Sequence, residues 1–242
     1  PTNAVDKDYK VYDMSYFANG QNYAVEGYRV ARDHYSADAL VLYAQTGSAS
    51  VDGNAPVTIV DKIQPALNED GDIVQKLYGY RNGAAVEYLT REDNLLSSVS
   101  SLNAADNPVH ELECGDIVQL EIDDHNEIVG VKLIYQRNIG KIGVGTASDP
   151  NARFSVYMGK AYAVSEGYLM LTTSALSDDL TLNSLEVYPG TILPIVVYDH
   201  TKENKLSVGK LGDIVDYKST LQASDVFVYT SYSSNGMIVV YK

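Results

Sequence analysis

The chain has 242 residues, with 32 Asp and Glu against 18 Lys and Arg, a net charge of −14, one Cys, no Trp and twenty Tyr. This charge opposes binding to nucleic-acid phosphates, and the longest apolar run, residues 192–198, is too short to cross a membrane as a helix. A hydrophobic content of 45% predicts a globular chain of one large or two small domains rather than a disordered one.

Alternation of apolar and polar residues predicts strands along most of the chain. The predicted strands cover residues 39–44, 57–60, 73–80, 85–89, 117–122, 128–135, 154–157, 168–172, 192–198, 226–229 and 237–241. Turn residues that tolerate a positive φ lie at 68–71, 81–83 and 235–236, and they predict tight hairpins. Many short strands joined in this way predict an all-β fold of barrel- or sandwich-like domains.

One segment has the period of a helix instead. Leu95, Leu96, Val99 and Leu102 fall on one 3.6-residue face, and Thr90 is a plausible N-cap with Asp93 three residues beyond it. We therefore predict a short helix over residues 91–102 that plugs the opening of a small barrel.

Residues 137–153 contain three Gly residues followed by Thr-Ala-Ser-Asp-Pro at 146–150, a composition typical of a domain boundary. The sequence thus predicts a Tyr-rich N-terminal β segment at 1–52, a first β domain at 53–140 and a second at 151–242.

An internal similarity links the two ends of the chain. Val-Tyr-Asp at 11–13 recurs at 197–199, and the Asp-containing strand starts at 37–41 and 224–228 follow at almost equal spacing. Two interpretations remain open: residues 1–52 end a divided repeat, or Tyr-rich strands match by chance. Gly-Asp-Ile-Val also occurs three times, at 71–74, 115–118 and 212–215, as is typical of strand starts.

No residue pattern predicts a catalytic, cofactor or metal site. Cys114 has no partner for an intrachain disulfide, and we expect it to be buried and inert. The four His residues are scattered without zinc-ligand spacing, at His34, His110, His125 and His200. The acidic turns at 68–72 and 123–127 lack the spacing of a calcium loop, so we interpret them as solubilising hairpin tips.

Two further kinds of site, a phosphate-binding loop and a pair of carboxylates for glycoside cleavage, also have no clear pattern in the sequence. Gly140 and Gly143 do not have the spacing of a phosphate-binding loop. Two carboxylates for glycoside cleavage could come together from the 32 acidic residues, but the Trp platform expected for sugar stacking is missing, and Tyr would have to replace it.

Tyrosine is concentrated near the N-terminus. Seven of the twenty lie within the first 45 residues, at Tyr9, Tyr12, Tyr16, Tyr23, Tyr28, Tyr35 and Tyr43. Tyr supplies a large contact area at a small cost in side-chain entropy, so this segment is a candidate protein-binding surface.

Several hairpin motifs carry a family resemblance. The segments 57–60, 67–74, 80–83, 114–123 and 126–131 together resemble the β-domains of Firmicutes cell-surface proteins that carry S-layer homology domains. The resemblance implies a surface-exposed structural or adhesive role, and it brings no catalytic residues. The S-layer homology module itself has a characteristic Trp, so wall anchoring would lie outside these residues.

These observations predict a non-enzymatic structural or adhesive module of a secreted or cell-surface bacterial protein, which spaces or assembles at the cell envelope. Its expected partners are proteins or further copies of itself, with cell-wall glycan as a second candidate, and without nucleic acid, membrane span or cofactor. Residues 1–4 show no export signal, so we expect either that the protein is not exported by the signal-peptide route or that the sequence is a mature or excised piece. The alternatives are a phage or virion structural protein, and a polysaccharide-acting enzyme or carbohydrate-binding module.

Overall fold

The computed structural model describes residues 55–103, 108–143, 155–165, 168–173, 193–231 and 236–242, and for Phe154 and three further strands it gives the backbone alone. Two of these strands, β1 (Ala24–Tyr28) and β2 (Ala39–Tyr43), form an antiparallel pair. They belong to a compact unit at Pro1–Gly47, and Ser48–Lys242 form a second compact unit. The side chains of the Tyr-rich segment lie outside the described residues.

The first sheet of the larger unit is a closed barrel of five strands. Its strands are β3 (Val57–Leu67), β4 (Ile73–Arg81), β5 (Ala84–Thr90), β8 (Ile117–Ile122) and β9 (Glu127–Gln136). Two short strands, β6 (Val99–Ser100) and β7 (Val109–His110), pair with each other, and β10 (Lys141–Ile142) extends the sheet beside β9.

The barrel follows a Greek-key path. Strands β3, β4 and β5 form consecutive hairpins, and a long connection then returns the chain so that β8 pairs with β3. Strand β9 closes the barrel by pairing antiparallel with β8 and parallel with β5. A five-stranded Greek-key barrel is the architecture of OB-folds.

The connection between β5 and β7 fills the barrel, but it is not the predicted helix. Its buried residues, Leu96 and Val99, join the interior cluster with Leu77 and Val118. The backbone from Arg91 to Ser98 instead forms bends and turns.

Competing hydrogen bonds explain this correction. Asn94 has a positive φ of 64°, and the hydroxyls of Ser97 and Ser98 both donate to its carbonyl oxygen. The Leu96 amide donates to the Gln75 side chain. Thr90, the predicted cap, exchanges hydrogen bonds through its hydroxyl with the Gln75 backbone instead. The apolar period identified the buried residues, but tertiary partners took the backbone groups that a helix would use.

The second sheet has seven strands in the order β13-β12-β11-β16-β17-β14-β15. They are β11 (Phe154–Ser165), β12 (Tyr168–Thr172), β13 (Ser184–Val187), β14 (Ile195–Tyr198), β15 (Leu206–Gly209), β16 (Asp225–Ser231) and β17 (Gly236–Tyr241). Among the described strands of this sheet, β14 and β17 are the one pair that runs parallel. A single-turn helix, α1 (Tyr217–Thr220), precedes β16 and is capped by the Asp216 carboxylate.

Alternate residues of the central strands face two different cores. Val226 and Val228 of β16 belong to a core on the far side of the second sheet. Phe227 and Tyr229 belong to a core that also contains barrel residues. We call this shared core the seam. Its fully or largely buried members are Val57, Ile59, Ile117, Ile134, Tyr135, Val156, Val196, Tyr198, Leu206, Phe227, Tyr229, Met237 and Val239.

The all-β prediction is confirmed, and each of the predicted strands overlaps an observed one. Strands β3 and β11 run much further than predicted, and the strands β6, β7, β10, β13 and β15, each of only two to four residues, were not predicted. The turns at Gly71 and at Asn82–Gly83 have the expected positive φ angles. The turn before Gly236 lies outside the described residues.

The predicted domain division and the divided repeat stay predictions. Strand β10 continues the first sheet to Ile142, and residues 144–153 lie outside the described part. In the proposed repeat, β1 and β2 correspond to β15 and β16. The first two pair directly, whereas β17 and β14 separate the other two. No helix of the described residues is long and apolar enough to cross a membrane.

Because Leu96 plugs the barrel, its truncation should destabilise the fold. We expect Leu96→Ala to lower the free energy of unfolding by about 2–5 kcal/mol, since the side chain is fully buried and leaves a cavity. Urea denaturation would measure the loss. The matched variant Leu221→Ala removes a 71% exposed side chain and should change stability by less than about 0.5 kcal/mol. Equal losses in the two variants would contradict the plug.

Candidate functional site

A buried carboxylate organises the turn that leads into β8. Asp116 is fully buried, and its Oδ2 accepts hydrogen bonds from the His110 Nε2 at 2.6 Å and from the Glu113 backbone amide at 2.8 Å. Its Oδ1 accepts from the Arg137 backbone amide at 2.9 Å. A buried carboxylate is costly unless donors surround it, and here two donors come from the preceding segment and the third from the end of β9.

The imidazole of His110 is held on both sides. With its hydrogen on Nε2 it donates to Asp116, and its Nδ1 then accepts from the Gln136 side chain at 3.3 Å. Gln136 in turn accepts from the Ser101 hydroxyl and the Leu102 amide. The network therefore ties the barrel plug to the end of β9.

The neighbouring glycine brings the two sheets together. Gly115 has φ of +93°, its amide donates to the Val60 carbonyl, and its own carbonyl accepts from the Tyr241 hydroxyl at 2.9 Å. A Cβ at this position would lie 2.5 Å from Arg137 Cδ and 3.0 Å from the Tyr198 ring. Only glycine satisfies both the backbone angle and this close approach.

Arg137 carries the contact across the seam. Its Nε donates to the Cys114 carbonyl at 2.9 Å and its Nη2 pairs with Glu113 at 3.2 Å. The guanidinium carbon lies 5.3 Å from the centre of the Tyr198 ring, a cation–π geometry. An arginine positioned by the barrel thus packs on an aromatic ring of the second sheet.

Three tyrosine rings meet at this place. Tyr135 and Tyr198 each lie within 6 Å of Tyr241, at centroid distances of 5.4 and 5.6 Å and with tilted ring planes. Burial raises the pKa of Tyr135 to about 12 and holds the pKa of Tyr241 well above its ordinary value. Burial also raises the pKa of Tyr198, although the nearby Arg137 acts in the opposite direction.

An open cleft of about 440 Å³ lies over these rings, and we take it as the candidate functional site. It falls within the size range of ligand pockets in proteins. Its described lining residues are Tyr135, Arg137, Gly140, Met158, Tyr198, His200, Asp225 and Tyr241. They come from the end of β9, from β11, and from the β14, β16 and β17 strands or the turns beside them, so the cleft exists only where the two sheets meet.

The structure places the residues considered from sequence at different locations. Cys114 is half-buried rather than buried, packs against the seam, and has its pKa raised by burial to about 11. His125 lies in an exposed turn, and His34 is outside the described residues. Gly140 ends the short 3-10 turn at Arg137–Ile139 and lines the cleft.

Both acidic turns use side-chain oxygens to close themselves. The Asn68 side chain accepts from the amides of Asp70 and Asp72, and the Asp123 carboxylate accepts from those of His125 and Glu127. Within the described part of the chain, no group of three or more His, Cys, Asp or Glu could hold a metal ion. The negative charge of both turns opposes binding to nucleic acid.

Among the described residues, no set of side chains in the cleft forms a hydrolytic centre. His110 and Asp116 form a close pair, but both are buried away from the cleft, and Ser101 bonds to Gln136 rather than to the imidazole. Asp225 carries the only carboxyl among the described lining residues of the cleft. Acid–base cleavage of a glycoside uses a pair.

The three Gly-Asp-Ile-Val copies have three different uses. In the first, Gly71 closes an exposed hairpin and Asp72 is exposed. In the third, the Asp213 carboxylate accepts from the Lys210 amide at a short 3-10 turn. Only the second buries its Asp, so the tetrapeptide is turn chemistry whose role is set by its surroundings.

Sequence reasoning missed the group His110, Asp116 and Arg137. Their local signal was weak, because Gly-Asp before a strand is common and His110 belongs to a two-residue strand. In comparisons with known proteins, no protein-family model, no curated protein and no solved structure matches this chain.

The carboxylate of Asp116 should be essential to stability. In Asp116→Asn one acceptor oxygen becomes an NH₂ donor that faces another donor, so we expect unfolding to require about 2–4 kcal/mol less than in the unaltered protein. The matched variant is Asp72→Asn, which changes the exposed Asp of the same tetrapeptide and should have an effect below about 0.5 kcal/mol. Chemical denaturation of both variants measures these losses. An Asp116→Asn variant that is as stable as the unaltered protein would contradict the assigned role.

Alkaline pH should weaken the seam. Cys114 and Tyr135 have pKa values raised by burial, so the unfolded chain loses these protons first and stability falls as pH rises. The stability contributed by these two protonated groups should be fully present below about pH 9 and should decline up to about pH 12. Urea midpoints across this range, read beside tyrosinate absorbance, measure the decline. Tyr135→Phe should flatten it, and a midpoint that does not change with pH would disprove the linkage.

Proposed function

We propose that this chain is a non-enzymatic structural or adhesive module of a secreted bacterial surface protein, which spaces or assembles at the cell envelope. The observation that carries the proposal is the seam. Barrel strands and second-sheet strands bury side chains in one core, so the two sheets resist movement relative to each other. A rigid body of this kind suits a spacer better than an enzyme that must open and close.

Further contacts support the rigid-body interpretation. The β4–β5 hairpin abuts the second sheet, because a Cβ on Gly83 would lie 2.4 Å from Pro194. The Tyr229 hydroxyl reaches the Ala55 carbonyl at 3.4 Å. The Tyr241 hydroxyl bonds to Gly115. The seam is therefore reinforced by polar contacts at several points.

The chemistry of the described residues also favours a structural role. The cleft has one carboxylate, and the buried His–Asp pair serves a turn. The hairpin motifs that resemble Firmicutes surface β-domains support the proposed compartment. Acidic hairpin tips support solubility and oppose edge-to-edge aggregation.

Force spectroscopy of the full chain tests rigidity. We expect Ser48–Lys242 to unfold in one event, because the shared core must break before either sheet is free. In Gly115→Ala the added methyl overlaps Arg137 and Tyr198, so the seam should weaken by about 1–3 kcal/mol and the event should split into two. The control is Gly71→Ala, which has φ of +86° and no atom within 4 Å of its Cβ, and it should keep one event. Two events in the unaltered chain would overturn the rigid module.

Assembly and turnover assays test the remainder of the proposal. Native mass spectrometry and electron microscopy should show a monomer or a flat lattice. A symmetric ring or shell would favour the virion alternative and contradict a surface module. Sustained hydrolysis of a purified wall polymer by the chain would contradict the non-enzymatic assignment.

A further inference from the structure

The cleft over the seam contains polar atoms with no hydrogen-bond partner among the described residues. The His200 Nδ1 donates to the Lys242 carbonyl at 2.6 Å, which leaves its Nε2 without a hydrogen bond among the described residues. Asp225 pairs with Lys160 through Oδ1 at 2.9 Å, and no described group bonds to its Oδ2. Arg137 uses Nε and Nη2, and its Nη1 makes no hydrogen bond with the described residues.

Two tyrosine hydroxyls add to this set. Tyr135 and Tyr198 line the cleft, and neither hydroxyl bonds to a described residue, whereas the hydroxyl of the third ring, Tyr241, is bonded to Gly115. Tyr135 and Tyr198 are both largely buried, so their positions are fixed by packing. Packing therefore holds the two Tyr side chains in place beside the exposed polar groups of His200 and Asp225.

The balance of charge selects the class of ligand. The described lining residues contribute one cation, Arg137, and one anion, Asp225, so the cleft has little net charge of its own. A phosphate or sulfate would need an excess of donors, and the acidic chain as a whole repels anions. A metal ion would need several carboxylates, and the cleft has one.

The lining of the cleft also contributes apolar surface. The Tyr rings and the Met158 thioether supply carbon and sulfur surface beside the polar groups. A ligand that suits both parts has hydroxyls around its edge and an apolar C–H face. A neutral pyranose sugar has this form.

We propose that the cleft binds a neutral saccharide of one or two sugar units. His200, Asp225 and Arg137 contact its hydroxyls, and the Tyr135 and Tyr198 edges pack beneath it. Saccharide binding follows from the cleft alone. The identification of its natural source as a cell-envelope glycan rests on the proposed function.

Nuclear magnetic resonance titration of the full chain tests the site. The probes are N-acetylglucosamine and its β-linked dimer chitobiose, with inorganic phosphate and calcium chloride as comparisons. We expect the resonances of the cleft residues to shift with the sugars, with dissociation constants on the order of millimolar, as suits one small open site. Shifts with phosphate or calcium alone would overturn the saccharide assignment.

Variants separate the cleft from other surfaces. His200→Ala removes an exposed side chain and should weaken sugar binding about tenfold, the loss of one or two hydrogen bonds. Tyr198→Phe keeps the ring over Arg137 but removes the hydroxyl, and it should weaken binding severalfold without lowering the thermal midpoint. His125→Ala changes an exposed His in the β8–β9 turn and should bind as the unaltered chain does.

The outcomes distinguish this inference from the proposed function. Unchanged binding in both His200→Ala and Tyr198→Phe would overturn the cleft as the site, as would the absence of any shift with either sugar. Neither result would affect the single unfolding event, which is measured without sugar. Conversely, two unfolding events beside intact sugar binding would remove the spacer role and leave the saccharide site standing.

Discussion

The buried carboxylate of Asp116 is the constraint from which the site is built. A carboxyl group out of contact with water needs hydrogen-bond partners around it, and the three partners of Asp116 are the His110 ring and the amides of Glu113 and Arg137. Holding these donors fixes the turn before β8, the strand β7 and the start of the segment after β9. Arg137 is then placed so that its side chain reaches Tyr198 on the other sheet.

From this constraint the seam and the cleft follow together. Gly115 lies beside Asp116, and because it has no side chain the Tyr198 ring and the Arg137 side chain can pack against its backbone. The Tyr241 hydroxyl donates a hydrogen bond to the Gly115 carbonyl and completes the contact. The groups that join the sheets are thus also the groups that line the cleft, so rigidity and ligand binding share one structural cause. A ligand would meet a preorganised surface, which reduces the entropy lost on binding.

The segment between β5 and β7 shows how far sequence patterns reach. Its apolar spacing identified Leu96 and Val99 as buried, which they are, because hydrophobic burial depends on which side chains face the core. The same spacing predicted a helix, which is wrong, because Asn94, Ser97 and Gln75 supply other partners for the backbone. The local spacing of apolar residues was sufficient to predict which side chains are buried. The backbone path, by contrast, depended on the Gln75 side chain, which lies twenty-one residues from Leu96 in the chain.

The candidate site was harder to foresee than the fold. Cys114 was considered for its chemistry, but its neighbours Gly115 and Asp116 proved to hold the structure together. His200 and Asp225 carried no motif, and they come near Arg137 only through the packing of two sheets. Such a site has no sequence signature, since its members are set by long-range packing rather than by spacing.

The amino-acid sequence was sufficient to predict the all-β class, most of the strands and the positive-φ turns at Gly71 and Gly83. These features depend on neighbouring residues, through alternation of side chains and the freedom of Gly and Asn in tight turns. The closure of the barrel, the seam and the cleft are seen only in the folded chain. Those depend on contacts such as that between Gly115 and Tyr241, which are 126 residues apart in the chain, and no local pattern encodes a pairing at that distance.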